Sequence, residues 1–526
     1  MKRVIIVGGG IAGLAAAYRL TKTAPEAQIT LIESDDRLGG KVVTDRVEGF
    51  VIEGGPDTFL SYKPRGIGLC RELGLEDRLH GTNEKIRRTY VMRQGKLYDL
   101  PEGLTGLIPS RFGPLAKSRL ISPWGKLRMG LDYFIPPKSL NGDESLAQFV
   151  ERRLGRELYD RMIEPLMSGI YAGDGEQLSL GATFPQLRQT ELEHGSLVKG
   201  MLAAKKKAAH SSTPASSRVA RSASAQNAGG KKWAAFVTPE TGLAEIVEAL
   251  QAQLKGIEIR LNTRVKKVEP SPLPQTTRDL RQPSPYKEEG AFPSPFPYPQ
   301  SGGTAGRQGE GRGMRVELEN GETLEADAAI LATPAYVTAQ LVADLDPEMA
   351  AALRGIPYAS TVTLSVAYPL SDIPKPLNAY GYIIPRAEGR SILACTWTST
   401  KFPHRAAEGY GLIRAFIGRA GDDDVLNQTD DELLQMVRDE LHDVLGITAK
   451  PLLYRIFRWP QAMPQYTLGH LDRVAVIDRR LAEHRGLYVA GNAYRGIGLP
   501  DCIASGEAAA TTAVKYLQTL TEQVPA

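Results

Sequence analysis

The chain has 526 residues, 42% hydrophobic and 24% charged, which describes a globular protein with core material for two or three domains. Its 64 basic and 60 acidic residues leave a formal net charge of only +4, so nucleic acid is not an expected partner. Three widely separated cysteines, Cys70, Cys395 and Cys502, make neither a disulfide framework nor a zinc site; no metal is expected, and a reducing compartment fits best.

The opening "RVIIVGGGIAGLAAAYRL" reads as a β-branched strand, a glycine turn and an Ala/Leu-rich helix. Basic residues ahead of an apolar run imitate a signal peptide, but the three adjacent glycines argue against one. Gly8, Gly10 and Gly13 fill a G-x-G-x-x-G pattern. The first permits the tight turn, the second lets backbone approach a pyrophosphate, and the third lets helix pack on strand. Gly9, Ile11 and Ala12 complete the expected lining, with the helix N-terminus facing the diphosphate. A second strand, "QITLIES", ends in Glu33, twenty positions after Gly13, where a carboxylate accepts hydrogen bonds from an adenosine ribose; Ser34 stands beside it. Strand, glycines, helix, strand and acid in register predict a dinucleotide site.

In "SDDRLGGKVVT", Arg37, Gly39 and Gly40 resemble the R-x-G-G motif of a large flavoprotein superfamily that includes amine oxidases and phytoene desaturases. The resemblance implies FAD. Arg37 can engage its phosphates, and the glycines let backbone run beside it. Lys41 stands where many amine oxidases have arginine and would bring an ammonium near the cofactor. In "VEGFVIEGGPDTFLS", Gly54, Gly55 and Pro56 correspond to segments that approach the flavin in that superfamily, with Asp57 and Thr58 as polar contacts. A simple turn is the alternative reading.

From Leu104 to Leu131 the chain carries Arg111, Lys117, Arg119, Lys126 and Arg128 and no acid, with Trp124 and leucines interleaved. Such a segment suits an anionic membrane surface or guidance of a carboxylate-bearing substrate; a solvated helix face is the plainer alternative. "DESLAQFVERRLG" predicts an amphipathic helix capped by Asp143 and stopped by Gly155, and Pro165 should kink or end the helix after it. Residues 203–232 are rich in Ala, Ser and basic residues and read as a mobile loop. The proline-rich stretch 270–312 lies between two strand patterns and is expected to extend a hairpin tip. "DAAILATPA" resembles the segment that returns the chain to the nucleotide-binding sheet in the superfamily, and Val265 matches the position whose backbone meets the adenine. Residues 357–421 alternate as antiparallel strands, and "DDELLQMVRDELHDVLG" is an amphipathic helix whose His442 is read as structural. No run of about 18 apolar residues predicts a membrane-spanning helix.

Near the C-terminus, "RGLYVAGNAYRGIGLPDCIASGEAAATTAVKYL" reads as a strand ending at Gly491, a glycine turn and a helix opening near Pro500. In flavoproteins with the N-terminal pattern above, this segment caps the same FAD. The resemblance makes Ile497, Gly498 and Leu499 contacts, with the helix N-terminus toward the ring end that gains negative charge on reduction. Trp459, in "RWPQAMPQYTLGH", matches an aromatic position beside the flavin; core packing is its alternative.

"EPLMSGIYAGDGEQLSL", "RWPQAMPQY" and "GNAYRGIGLPDCI" together closely resemble the FAD-dependent porphyrinogen oxidases of haem synthesis, over most of the chain apart from the two insertions. The likeness is strongest to the Gram-positive bacterial type, which favours coproporphyrinogen III. It implies a six-electron oxidation of porphyrinogen to porphyrin. Hydride passes to the flavin, pyrrole protons leave, and dioxygen reoxidises the cofactor to give hydrogen peroxide. Arg87 or Arg88, in "KIRRTYVMRQGKLYDLP", is expected to pair with substrate carboxylates at the rim, against a solvated edge as the alternative. Some mitochondrial relatives carry an arginine where this chain has Asp57 or Thr58, so their carboxylate contact does not transfer. No general base is assigned.

The expected fold is α/β, a Rossmann-like FAD-binding domain with a mixed α+β substrate-binding domain and an inserted helical subdomain. Residues 1–85, 233–345 and 453–526 form the FAD-binding domain, 86–202 the substrate-contacting and helical part, and 346–452 the antiparallel-sheet domain. The enzyme is expected in the cytoplasm, peripheral at most at the inner face of the cell membrane, with transient contact to the next haem-pathway enzyme. Protoporphyrinogen IX oxidase, a flavin amine oxidase or carotenoid desaturase, and a non-catalytic FAD-containing porphyrin carrier are the competing readings.

Overall fold

The computed structural model describes residues 2–101, 104–105, 108–109, 112–138, 142–209, 232–271 and 313–522. The chain divides into two compact units: Met1–Gly40, Val247–Gly355 and Asp472–Ala526 make the first, Lys41–Ile246 and Ile356–Leu471 the second. The segment borders expected at residues 86, 233, 346 and 453 compare with breaks at Lys41, Val247, Ile356 and Asp472.

The first unit is built on a five-stranded parallel sheet. Strand β1 (Arg3–Val7) pairs on one side with β2 (Gln28–Ile32) and on the other with Ala328–Leu331; Glu258–Arg260 and Leu487–Val489 form the edges. After its exposed first residue β1 is buried throughout, as a central parallel strand covered on both faces must be. The return of "DAAILATPA" to this sheet is therefore direct: Ala329 and Ile330 sit in register with Ile5 and Ile6.

Helix α1 (Ile11–Thr23) follows β1, and the C-terminal helix Leu499–Glu522 packs across it. Their backbones touch, since a Cβ on Gly506 would lie 2.0 Å from the Ala12 carbonyl oxygen. A small antiparallel sheet joins Val265–Pro270, Met314–Leu318 and Thr323–Ala326. Pro270 pairs with Met314, so the proline-rich insertion connects two hydrogen-bonded partners, as a hairpin requires. Residues 272–312 of that insertion lie outside the described residues.

The second unit carries a seven-stranded sheet in the order Leu453–Pro464, Tyr358–Pro369, Tyr410–Ile417, Ile392–Trp397, Gly381–Ile383, Tyr90–Arg93 and Lys96–Asp99. Every pairing is antiparallel except that of Gly381–Ile383 with Tyr90–Arg93. Helix Asp430–Leu445 covers it, burying Leu433, Val437, Leu441 and Leu445 against a core that includes Tyr368, Tyr382 and Trp397. A Thr429–Glu432 capping box opens this helix and Gly446, at φ 78°, closes it; His442 lies exposed in its last turn.

Three local expectations bear on the helical part of this unit. Helix Leu146–Leu154 is capped by Ser145 rather than Asp143, because Ser145 and Gln148 satisfy each other's backbone amides reciprocally. Asp143 is left to accept from Ser179 Oγ at 3.0 Å and Gly469 N at 3.0 Å. Pro165 does not end the helical run, which continues from Arg156 to Tyr171; the run is instead distorted ahead of the proline by a π-turn at Tyr159–Ile163, the kink of the two outcomes expected. The loop expected over 203–232 is helical at its start: helix Leu197–Ala209 runs through "AAKKKAA", whose alanines and lysines are good helix formers, and the rest of that expectation, residues 210–231, lies outside the described residues.

This helical part is stapled by a buried ion network. Arg153 is fully buried and donates to Glu191 at 2.6 Å, to Asp132 at 3.1 Å and to the Ile135 and Gly195 carbonyls. Arg152 bridges Glu191 to Glu144. All five guanidinium protons of Arg153 thus find oxygen, which is the condition for burying such a charge.

Candidate cofactor and active site

Of the expected cofactor residues, Gly8 to Gly40, Val265 and Gly491 to Leu499 belong to the first unit; Lys41, Gly55 to Thr58 and Trp459 belong to the second. In the first unit the three pattern glycines have different physical reasons. Gly8, at φ 105°, is held by Ile32 O at 2.8 Å, and a Cβ there would lie 2.8 Å from the Ala332 carbonyl oxygen. At Gly13 a Cβ would reach within 1.9 Å of Gly8 O, so the first turn of α1 lies directly on the loop. Gly10 differs: a Cβ there meets nothing within 4 Å.

The middle glycine therefore keeps open space over the backbone at the mouth of α1, where the first-turn amides have no intrahelical acceptors. That is the fit a diphosphate requires. Glu33 closes the other side of the turn. It is buried, with Oε2 accepting from Gly9 N at 2.7 Å and Oε1 from Ser34 Oγ and Asp35 N at 3.0 Å each. Its backbone is fixed by Arg260 O and Thr263 N, two residues before Val265.

The R-x-G-G segment lies against this loop. Gly39 N donates to Gly9 O at 2.9 Å, while Arg37 folds back to donate to Gly40 O at 2.7 Å and stays exposed. In the C-terminal turn, Gly491 N donates to Ser505 Oγ at 3.1 Å and Gly498 N to Asp501 Oδ2 at 3.2 Å. Leu499 is buried at the helix start. A Cβ on Gly491, like one on Gly10, meets nothing within 4 Å.

In the second unit the glycines of "EGGPD" answer to packing. A Cβ on Gly54 would strike the Phe457 ring at 2.7 Å, and one on Gly55 the Lys41 carbonyl at 1.9 Å. Their carbonyls are clamped. Gly54 O accepts from Thr363 Oγ1 at 2.8 Å, Trp459 Nε1 at 2.8 Å and Arg414 Nη2 at 3.1 Å, and Gly55 O accepts from Arg414 Nη2 at 2.6 Å. Lys41 Nζ donates to Ala462 O at 2.5 Å.

Beneath this segment lies a charge cluster of which the sequence had singled out Asp57 alone. Glu53 accepts from Arg405 Nη2 at 2.9 Å, Thr44 Oγ1 at 2.7 Å and Leu243 N at 2.7 Å, and burial pushes its carboxyl above the ordinary value. Asp57 pairs with Lys401 at 2.9 Å; burial alone would raise its pKa, but Lys401, Arg414 and Arg405 outweigh that and hold it below the usual carboxylate range. Arg414 is buried and burial pulls its pKa down; its Nε and Nη1 have no hydrogen-bond partner among the described residues. For Arg414 the only sequence signal was a lone arginine inside the apolar strand "GLIRAFIG".

Arg87 and Arg88 lie at the surface of the second unit, paired with Glu84 at 3.1 Å and Asp99 at 3.0 Å. Their segment is tied to the turn before Arg405 through Asn83, whose N donates to Lys401 O at 2.9 Å. No group of three or more His, Cys, Asp or Glu suited to a metal occurs among the described residues.

This architecture has counterparts among known proteins. The family model for flavin-containing amine oxidoreductases matches residues 11–279 and 306–514. The chain belongs to this family. As a flavin-containing oxidoreductase it is 34% identical to a coproporphyrinogen III oxidase of Bacillus subtilis (strain 168), over 98% of each chain. A chloroplastic protoporphyrinogen oxidase of Nicotiana tabacum is 29% identical over 98% of this chain and 85% of that protein. Among solved structures, an Exiguobacterium sp. 255-15 protein described as a protoporphyrinogen oxidase superposes with a TM-score of 0.76 at 31% identity, covering 98% and 99% of the two chains. The flavin family thus accounts for the glycine cradle and leaves the substrate to be argued.

Proposed function

We propose that this flavoenzyme binds FAD and oxidises coproporphyrinogen III to coproporphyrin III in haem biosynthesis, six electrons passing to dioxygen with hydrogen peroxide as product. The observation that carries the reading is the full-length likeness, 34% identity over 98% of each chain, to a protein named for that oxidation. A bound flavin supplies two-electron chemistry that no side chain can. The chain's residues supply the rest. The Gly8–Gly13 turn and the first turn of α1 take the diphosphate, and Glu33 accepts the adenosine ribose hydroxyls. Backbone at Val265 borders the adenine.

Arg37, Gly39, Gly40, Ile497, Gly498 and Leu499 are assigned to the remainder of FAD. For the second unit, Lys41, Gly55, Pro56, Asp57, Thr58 and Trp459 are the proposed cofactor contacts, and the Arg414 clamp on Gly54 and Gly55 holds that backbone still. Arg87 or Arg88 takes a propionate of the substrate, exchanging a surface carboxylate partner for a substrate one.

Protoporphyrinogen IX is the second reading, favoured by the name of the Exiguobacterium structure. Porphyrin fluorescence in air, with each porphyrinogen in turn and an enzyme-free control for autoxidation, separates the two. Faster oxidation of coproporphyrinogen III is expected, and acceleration of protoporphyrinogen IX alone would replace the assignment.

A further inference from the structure

The charge cluster beneath Gly54 and Gly55 carries one more positive charge than its carboxylates cancel. Arg405, fully buried, pairs with Glu53 at 2.9 Å, and Lys401 pairs with Asp57 at 2.9 Å. Arg414, 3% exposed, is the third cation, and both carboxylates are already engaged. Glu53 Oε1 accepts from Arg405 Nη2 and Leu243 N, its Oε2 from Thr44 Oγ1, and Asp57 Oδ2 from Lys401 Nζ. Burial pushes the Glu53 carboxyl above its ordinary value, which enlarges the positive surplus. A buried charge with no counter-charge is strongly unfavourable, so the cluster calls for an anion that the chain does not supply.

The same residues surround a cavity. It measures about 10 Å³, room for a particle the size of one water molecule. Arg405, Arg414, Ser365 and Thr398 line it, with Val51 and Leu412 as apolar wall. Glu53 and Asp57 border it as well, with their oxygens engaged as above. Arg414 Nε and Nη1 and Arg405 Nε are buried and have no hydrogen-bond partner among the described residues. The Nη2 atoms hold main chain instead: that of Arg414 donates to Gly54 O and Gly55 O, and that of Arg405 to Asp57 O at 2.9 Å. Surplus charge, unfilled N–H groups and a closed space thus coincide at one place.

Size and charge select the occupant. A water molecule would accept from one or two of these N–H groups but leave the charge uncompensated. Phosphate, sulfate and carboxylates carry the charge and exceed the space. A monatomic anion meets both conditions, since it accepts from every direction and brings no proton that needs an acceptor.

We propose that Arg405, Arg414, Ser365 and Thr398 hold a buried chloride ion, which completes the two-arginine clamp on the Gly54–Asp57 backbone. The assignment stands apart from the identity of the substrate. Crystals of the flavin-loaded enzyme grown with sodium bromide in place of chloride should show an anomalous peak between the two guanidinium groups. In solution, the enzyme should melt higher in sodium chloride than in sodium gluconate of equal ionic strength. Its unfolding constant should fall about tenfold for each tenfold rise in chloride beyond saturation. R414M removes the surplus charge and the unfilled N–H groups together, and should melt alike in the two salts. S365A removes one lining hydroxyl and no charge, and should need about tenfold more chloride for the same effect. A cavity that shows water and no anomalous signal, equal melting of the wild type in both salts, or a chloride response that both variants keep unchanged would each overturn the assignment.

Discussion

Replacing Gly10 by alanine should separate cofactor binding from folding in a way that replacing Gly13 cannot. Gly10 has φ −68° and ψ 177°, a conformation any residue adopts, and its added methyl would meet no protein atom within 4 Å. With no strain, the substitution should leave the flavin-free protein as stable as the wild type, or firmer by about 0.4–1 kcal/mol through the smaller entropy of the unfolded chain. At Gly13 the methyl would sit 1.9 Å from Gly8 O and 3.1 Å from its carbon, both backbone atoms of the loop that anchors β1. Overpacking of this kind costs about 1–3 kcal/mol, against which the better helix propensity of alanine returns only about 1. Thermal unfolding of the two flavin-stripped variants, with FAD titration by flavin fluorescence, reads both effects. G10A should melt with the wild type and bind FAD at least tenfold more weakly, about 1.4 kcal/mol; G13A should melt lower. Full FAD affinity in G10A would refute the claim that the open space over Gly10 is the diphosphate seat.

Removing Arg153 leaves Asp132 buried without its cation while Glu191 keeps Arg152 and Arg188, so R153A should lose about 3–5 kcal/mol in denaturant unfolding; a loss under 1 kcal/mol would mean the network is not the staple described. Burial opposes ionisation of Glu191, but Arg152, the Lys138 amide and Arg153 hold its carboxyl down to about 2 from an ordinary 4.5. A depressed carboxylate stabilises the fold above its unfolded value, and that contribution fades as the pH falls from about 4.5 toward 2. E191Q should therefore be less stable than the wild type at neutral pH, with the gap in urea midpoints narrowing over that interval; a constant gap would assign its role to shape. R87A/R88A should raise KM for the porphyrinogen with little change in kcat, and an unaltered KM would remove both arginines from the substrate rim.

How much of this was legible before folding depends on the range of the interactions. The β1, glycine turn, α1 and Glu33 unit was readable because its logic is local: a buried β-branched run, three glycines with separate steric reasons, and an acid at the end of the next strand. The Arg405–Glu53 pair was not, since its members lie 352 positions apart and neither carries a motif. Gly54 and Gly55 invited a cofactor reading, yet within their own unit they answer to Phe457 and Lys41. Asp143 and Ser145 were competing caps two residues apart, and only the reciprocal Gln148 bond decides between them. In the basic segment, composition indicated a surface, but which residues face solvent follows from the buried anchoring of Ser122, Met129 and Asp132.

In the proposed reaction this protein's own flavin takes electrons from coproporphyrinogen III. Mixing the flavin-loaded enzyme with coproporphyrinogen III under strict exclusion of oxygen, while following flavin absorbance and porphyrin fluorescence together, tests it most directly. The yellow absorbance should bleach as oxidised tetrapyrrole appears and return when air is admitted. A flavin that stays oxidised in the presence of excess coproporphyrinogen III would contradict it.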